Sequence, residues 1–262
     1  MFNRFWFDAK NINCFKNGFR VIKDLNLKIS YSENVILIGP NGSGKSSLIE
    51  IINRNLYPVV ANESKLKIFD KELINLWELR NKISTVNNDI KNRINPNLQV
   101  FDLILSGLYG RYCYVQKKSK RDCNKVEKIM KKMDISNLSK KNFSYLSDGE
   151  KQISLIARAL IKKPEILILD EPIANLDYKS KFFVIDKVNE LSILNTKILC
   201  VTHDISTITN IYDRVIMLKD GKIIADGDQN KVISSENLKK LFGIQVEVAY
   251  KNGLWNINRL SK

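Results

Sequence analysis

Residues 39–46 have the sequence Gly39-Pro40-Asn41-Gly42-Ser43-Gly44-Lys45-Ser46. The spacing G-x-x-x-x-G-K-[ST] is that of a phosphate-binding loop. The run before the loop, Asn34–Ile38, is mostly apolar and β-branched and predicts a buried strand, while Ser47–Ile52 after it places apolar residues on one helical face. A strand that enters a glycine-rich turn and leaves it as a helix is the context in which such a loop binds phosphate.

The residue types of the loop suit a polyphosphate. Its glycines lack a Cβ, so the backbone can curl and approach a ligand closely, and the curled N–H groups and the positive end of the following helix favour an anion. Lys45 can reach terminal phosphates, and the Ser46 hydroxyl can ligate Mg²⁺. We predict that a whole segment binds a nucleotide: Gly39, Pro40, Asn41, Gly42, Ser43, Gly44, Lys45, Ser46 and Ser47.

Two carboxylates end a second apolar run. Residues 165–170 are Glu-Ile-Leu-Ile-Leu-Asp between two prolines, which predicts a buried strand of the parallel type. Ligands of open α/β sheets lie at the carboxyl ends of strands. Asp170 is therefore a candidate Mg²⁺ ligand, and Glu171 is a candidate general base that polarises an attacking water. The alternative is a strand-end turn in which the carboxylates are caps.

His203 is the single histidine of the chain and follows the apolar run Lys197–Thr202. A lone histidine is often structural, but this one again stands at the carboxyl end of a predicted strand. We expect it to contact a γ-phosphate and the attacking water, and not to ligate a metal.

A helix is predicted from Leu146-Ser147-Asp148-Gly149-Glu150-Lys151-Gln152 onward, because apolar residues follow at helical spacing. Ser147 is its candidate N-cap. A helix start of this kind is a second candidate anion site, although an ordinary cap explains the same residues.

Length and composition fit a soluble-type globular fold of one domain, or one domain with a subdomain: 262 residues, 44% apolar and 27% charged. The net charge of +15 would suit nucleic acid or an anionic membrane surface. The basic residues are scattered, however, which favours a charge that only reflects the Lys-rich composition of the chain over a charge that marks a binding surface. The four cysteines have no C-x-x-C spacing, which disfavours a zinc site or a disulfide framework and favours a reducing compartment. No apolar run reaches the ~20 residues of a membrane helix, and the amino terminus does not resemble a signal peptide.

The motif order is similar to that of ATP-binding cassette (ABC) ATPases over nearly the whole chain. In this resemblance Leu146–Gln152 matches the signature motif, Ala174–Asp177 the D-loop and His203 the switch histidine. The resemblance implies an α/β fold with a P-loop NTPase (RecA-like) core, an N-terminal antiparallel β subdomain and a helical signature subdomain. The resemblance implies a single ABC ATPase domain over 1–262. The core with the β subdomain takes residues 1–97 and 163–234, the helical subdomain takes 98–162, and a carboxy-terminal helix and β-hairpin take 235–262.

The same resemblance implies ATP and Mg²⁺ as cofactors and a head-to-tail dimer with a second copy or a homologous subunit. Each ATP would lie between one copy's phosphate loop and the other copy's signature helix. The signature and D-loop residues expected to contribute are Ser147, Asp148, Gly149, Glu150 and Asp177. Phe15 is the expected adenine-stacking aromatic, with Phe19 as the alternative; a core role remains open for either.

Three features depart from the family pattern. Asn88 stands where a glutamine is usual, so it keeps the amide but has one methylene less to reach Mg²⁺. Asp148 and Glu150 stand where Gly and Gln are common, and Ile173 replaces a frequent threonine. The phosphate loop, the candidate base and the histidine are all kept.

Two functions stay open at this point. The first is the ATP-hydrolysing subunit of a transporter. It would lie at the cytoplasmic face of the membrane and bind separate permease subunits, and it would bind no specific nucleic acid. Two segments resemble the corresponding parts of importers of iron chelates and related metal complexes, namely residues 103–110 and the tail Leu238–Ile244. Trp77–Arg80 is more similar to the molybdenum-type ABC ATPases. The second is a soluble ABC ATPase that acts on RNA or ribosomes or in cluster assembly.

Overall fold

Strands and helices alternate along the chain in the computed structural model, which describes residues 4–115, 118–191, 196–251 and 253–259. The strands are β1 (Phe5–Lys16), β2 (Phe19–Ser30), β3 (Val35–Ile38), β4 (Lys65–Ile68), β5 (Ile83–Val86), β6 (Ile166–Asp170), β7 (Lys197–Thr202), β8 (Arg214–Lys219), β9 (Lys222–Gly227), β10 (Val246–Lys251) and β11 (Leu254–Arg259). The α-helices are α1 (Lys45–Ile52), α2 (Leu76–Lys82), α3 (Val100–Ser106), α4 (Lys120–Lys132), α5 (Asp148–Leu160), α6 (Tyr178–Glu190), α7 (Gln229–Val232) and α8 (Ser235–Phe242).

These elements fall into two units, Met1–Arg80 with Lys197–Lys262 and Asn81–Thr196. The first unit contains a three-stranded antiparallel layer with the order β2-β1-β4. Its long hairpin turns at Asn17 and Gly18, both of which have positive φ, as a two-residue hairpin turn requires. The Asn-Gly dipeptide at this place predicts such a turn, so the structure confirms both the turn and the predicted antiparallel β layer.

The first unit also contains the strands β7-β3-β8-β9 in that order. β3 pairs in parallel with β7 on one side and with β8 on the other, whereas β8 and β9 form an antiparallel hairpin. All four residues of β3 are buried, which is typical of a parallel strand whose two faces are both covered. The phosphate loop leaves the carboxyl end of this central strand.

The second unit pairs β5 and β6 in parallel and packs α5 against α3 and α6. α5 is buried on nearly all sides, because every residue from Gln152 to Leu160 except Arg158 is buried, as expected of a helix at the centre of its unit. Apolar residues at helical spacing from Val100 to about Leu160 predict helices, and the described residues confirm this with α3, α4 and α5 and short 3-10 turns between them.

The carboxy-terminal part of the first unit consists of two short helices, α7 and α8, and the hairpin β10–β11. The sequence predicts a helix near Ser235–Leu241 and strands at Val246–Ala249 and Trp255–Ile257, which α8, β10 and β11 confirm. It does not predict α7, because four residues are too few to show helical periodicity.

The sequence also predicts a helix at Ser180–Ile193 and a turn at Asn252-Gly253, of which Ser192, Ile193 and Asn252 lie outside the described residues. The basic cluster Lys117–Arg121 is predicted to be a solvated loop; Lys117 also lies outside the described residues, whereas Lys120 begins α4.

The α/β fold class predicted from the sequence is confirmed. The subdomain bounds predicted from the resemblance stay a prediction, and α6 begins at Tyr178, two residues before the predicted Ser180, because Asp177 is its cap.

Candidate functional site

Backbone hydrogen bonds fix the loop Gly39–Ser46 to the end of β7 and to the turn between β8 and β9. The Gly39 N–H donates to the carbonyl of Thr202 over 3.3 Å, and the Gly221 N–H donates to the carbonyl of Ser43 over 2.9 Å. The loop thus lies between the end of β7 and the turn that joins β8 to β9.

Glycine is required here because backbone occupies the space that a side chain would need. A Cβ on Gly39 would lie 2.2 Å from the Leu218 carbonyl oxygen, and one on Gly44 would lie 2.8 Å from the Val21 carbonyl oxygen. Gly44 also has a φ of 105°, which side chains disfavour. The two glycines therefore allow the loop to curl against its neighbours.

The loop presents hydrogen-bond donors that fit a polyphosphate. Gly44 is the N-cap of α1 and supplies no side-chain cap, so the first N–H groups of the helix have no side-chain acceptor there. The hydroxyl of Ser43 is buried without a hydrogen-bond partner within the part of the chain that the structure describes. The Lys45 ammonium donates to the carbonyls of Gly39 at 2.7 Å and Pro40 at 3.0 Å.

The other loop residues divide by exposure. Ser47 and Lys45 are buried, whereas Asn41, Gly42 and Ser46 are exposed. Ser46 stands in the first turn of α1, where its hydroxyl is open to a ligand. A hard oxygen donor at this place suits Mg²⁺, which keeps several waters and takes few protein ligands.

The structure brings His203 to the same sheet edge as the loop. Ile38 pairs with Thr202, so the loop and the histidine leave adjacent parallel strands at the same level. The Asp204 N–H donates to the Thr202 hydroxyl over 3.0 Å, and the Asp204 carboxylate accepts from Ser206 N–H over 2.9 Å. The exposed His203 thus stands between two fixed neighbours.

Phe15 and Phe19 lie near the tip of the β1–β2 hairpin, in the unit that contains the loop. Phe15 is 49% exposed and Phe19 76%. The neighbouring Lys16 ammonium forms an ion pair of 2.7 Å with Glu50 of α1, which ties the hairpin to the helix that follows the loop. Phe15 is thus the less exposed of the two, and the adenine-stacking role predicted for it stays a prediction.

In the second unit, Asp170, Glu171 and Asn88 gather at one edge. Val86 pairs with Leu169, so the residues just after β5 and β6 leave the sheet side by side. Glu171 has a positive φ of 51°, a conformation that is uncommon for a glutamate and often marks a functional turn. Asn88 is exposed at the start of a 3-10 helix.

The preceding Asn87 has a local role that sequence reasoning missed. Its side-chain oxygen accepts the Ile90 N–H at 3.3 Å and caps the 3-10 helix Asn88–Arg93. Two consecutive asparagines therefore differ in function, since one side chain is used by the turn and the other faces outward. Only the local geometry distinguishes them.

Ser147 is the N-cap of α5, as predicted from the sequence. Its hydroxyl oxygen accepts the Glu150 N–H at 3.2 Å, and the Glu150 carboxylate accepts the Ser147 N–H at 2.8 Å. This is a reciprocal capping box. Glu150, which departs from the usual residue of the family, is thus explained by local structure, and Asp148 pairs with Lys151 at 3.3 Å.

Gly149 and Asp177 also have local roles. A Cβ on Gly149 would lie 2.9 Å from the Cβ of Ser180, so glycine allows α5 to pack closely on α6. The Asp177 carboxylate accepts the Ser180 N–H at 2.8 Å and the Ser180 hydroxyl at 3.1 Å. These hydrogen bonds hold the pKa of Asp177 below its usual value.

The predicted site residues thus form two groups. The loop, Phe15 and His203 lie in the first unit, and Asn88, the two carboxylates, the signature residues and Asp177 lie in the second. Within the described residues, no helix has the length and apolar content needed to span a bilayer.

Residues 22–174 match the protein family described as ABC transporter. The chain is 30% identical to an uncharacterized ABC transporter ATP-binding protein, YmeB, of Lactococcus lactis, over 92% of this chain and 93% of that protein. It is 29% identical to the phosphonates import ATP-binding protein PhnC 2 of Oceanobacillus iheyensis, over 91% of this chain and 96% of that protein.

Solved structures with a similar fold include CbiO1 of Clostridium perfringens, part of the ABC transporter complex CbiONQ, at TM-score 0.77 and 26% identity over 91% of this chain and 94% of that one. A putative metal-chelate type ABC transporter matches at TM-score 0.80 and 21% identity over 99% and 98%. The ATP-binding cassette MJ0796, dimeric and bound to ADP and Pi, matches at TM-score 0.68 and 26% identity over 85% and 98%.

Proposed function

The chain belongs to the ABC transporter family of ATP-binding proteins, and on that premise we propose that it drives the import of a metal complex or an oxyanion. As a member of this family it is an ATPase that uses ATP with Mg²⁺. The single observation that carries the ATP-driven part of the proposal is the phosphate loop with His203 beside it at the ends of β3 and β7.

Each reacting group has a proposed role. Lys45 leaves its two carbonyl acceptors and holds the terminal phosphates. Glu171 takes a proton from the attacking water as general base, and His203 orients that water and the γ-phosphate. Mg²⁺, when bound, neutralises charge on the β- and γ-phosphates; the residues proposed to hold it are Ser46, Asn88 and Asp170.

The working form is a head-to-tail dimer with a second copy or a homologous subunit. Ser147 can serve both the helix and a nucleotide, because its oxygen accepts the Glu150 N–H while its O–H proton stays available to donate. The helix end with Gly149 adds N–H donors where phosphate charge must be held. Asp177 keeps the D-loop in place through its two bonds to Ser180.

Transport is favoured over soluble functions by the resemblance of residues 103–110 and 238–244 to metal-complex importers. The relative named for phosphonate import and the fold-level similarity to a metal-chelate type transporter are consistent with a metal complex or an oxyanion as cargo. We place the chain at the cytoplasmic face of the membrane, bound to integral permease subunits.

Fractionation of the tagged full-length chain tests transport against the soluble alternative. We expect it to remain on membranes that contain its permease after washing with ~1 M salt, since salt removes adhesion caused by the +15 charge alone. We also expect RNA not to stimulate its ATPase. Loss from the membrane at high salt together with RNA-stimulated hydrolysis would reject the transporter in favour of the RNA-directed ATPase.

Lengthening the amide at position 88 tests the Mg²⁺ contact proposed for it. Asn88→Gln should preserve or raise ATP hydrolysis, by up to about tenfold, because the longer side chain reaches farther without disturbing the turn. Steady-state kinetics against Mg²⁺ concentration measures the effect. Asn87→Ala is the contrasting variant: it removes the cap on Ile90 and should cost about 1 kcal/mol of stability instead. A large loss of activity in Asn88→Gln would contradict the assignment.

A further inference from the structure

The aromatic residue Trp255 anchors the hairpin β10–β11 to the body of its unit. Trp255 is 8% exposed, and its indole N–H donates to the side-chain oxygen of Gln229 over 3.1 Å. Gln229 belongs to α7, which packs on β8 and β9. The hairpin is therefore held, through α7, against β8 and β9 on one side of the central strand β3.

The same hairpin contacts the segment that follows the histidine. β11 packs against the 3-10 turn Ile205–Thr207, which begins two residues after His203. The hydroxyl of Tyr250 donates to the side-chain oxygen of Asn210, three residues beyond that turn. The rings of Tyr250 and Trp255 touch, with centroids 5.0 Å apart and planes tilted by 51°, so the two anchors act together.

The histidine turn needs such external support. It is a single 3-10 turn outside the strands, capped by the Asp204 carboxylate, which accepts the Ser206 N–H. The buried hydroxyl of Thr207 lacks a hydrogen-bond partner among the described residues, and an unsatisfied buried polar group of this kind destabilises the turn. Packing from a neighbouring element, β11, therefore supports the shape of this turn.

We propose that the carboxy-terminal hairpin is a clamp that fixes the orientation of His203, with Tyr250 and Trp255 as positioning residues. The clamp acts through a short chain of contacts: α7 holds Trp255, β11 and Tyr250 hold the turn and Asn210, and the turn sets the direction in which His203 leaves β7. The catalytic consequence rests on the proposed role of His203, whereas the structural consequence does not.

The chain offers a direct readout, because His203 is its single histidine. In the full-length protein, the imidazole carbon-bound protons give one set of NMR signals that needs no assignment. We expect Trp255→Ala and Tyr250→Ala to move these signals and broaden them. Tyr250→Phe should move them less, since the ring contact remains and only the bond to Asn210 is lost.

Kinetics gives the second readout. Trp255→Ala should lower kcat by about tenfold and leave KM for ATP within about twofold, because a misplaced histidine harms the reacting geometry more than binding. Trp255→Phe should restore part of kcat. Asn258→Ala is the matched control: Asn258 is exposed and lies on the other face of β11 from Trp255, so its loss should change neither readout.

Each outcome decides a separate question. The clamp proposal is wrong if the imidazole signals are unchanged in both Trp255→Ala and the milder Tyr250→Phe while the melting temperatures stay near that of the parent. Moved signals with unchanged kcat uphold the clamp. In that case His203→Ala shows whether the histidine acts in hydrolysis at all, so a failure of its proposed catalytic role is told apart from a failure of the clamp.

Discussion

Lys45→Ala should lower kcat/KM for ATP by at least about 10²-fold, the scale of losing one preorganised charge that stabilises a phosphoryl transition state. The ammonium is buried and bonded to the carbonyls of Gly39 and Pro40, at the mouth of the curled loop. It therefore stands ready at the place that the phosphates would take. Isothermal titration with ATP, together with phosphate-release kinetics, measures the loss.

A structural contribution of Lys45 must be separated from its phosphate contact. Removing it leaves two carbonyls without this donor, which should cost roughly 1–3 kcal/mol of folding stability, and thermal melting without nucleotide reports that part. Lys65→Ala is the matched control, since Lys65 is exposed and its ion pair with Glu72 at 3.9 Å contributes little. If Lys45→Ala kept the kcat/KM for ATP of the parent protein, the assignment of Lys45 to the phosphate site would be wrong.

Glu171→Gln should lower turnover by about 10³-fold while ATP binding is kept, since glutamine has the same shape but cannot take a proton from water. With hydrolysis blocked, Mg-ATP should trap the closed dimer, which light scattering coupled to gel filtration detects as a doubled mass. The nearly isosteric change also respects the positive φ of 51° at this position.

The control for Glu171→Gln lies at the other end of the same strand. Glu165 precedes β6 and pairs with Lys82 at 3.2 Å on the surface, so Glu165→Gln should leave turnover unchanged. In the trapped dimer, Ser147→Ala should weaken association, after correction for the about 1 kcal/mol that loss of a helix cap costs. Full turnover in Glu171→Gln would exclude this carboxylate as the base.

Local signals explain why much of this molecule could be predicted. The apolar runs at 34–38, 166–170 and 197–202 are long enough and continuous enough to mark buried parallel strands, and each proved to be one. Ser147, followed three residues later by Glu150, marks a helix start through short-range hydrogen bonds alone. Such features depend on neighbours within about four residues, so they can be inferred from the chain as written.

Other features depend on residues that are far apart in the chain. Thr202 lies 164 residues after Ile38, yet their pairing sets the histidine beside the phosphate loop. Gly39 is obligatory because the Leu218 carbonyl lies against it, and nothing near Gly39 in the chain reveals that contact.

The amino-acid sequence thus determined the chemistry and the local elements: a phosphate loop, two strand-end carboxylates, a capped helix and a single histidine, all set by short-range spacing and hydrophobic periodicity. The tertiary structure decided which of these groups share an edge and what supports them, including the hairpin that packs behind His203. The physical reason is that strand order and close backbone packing depend on long-range contacts, for which a local pattern carries no signal.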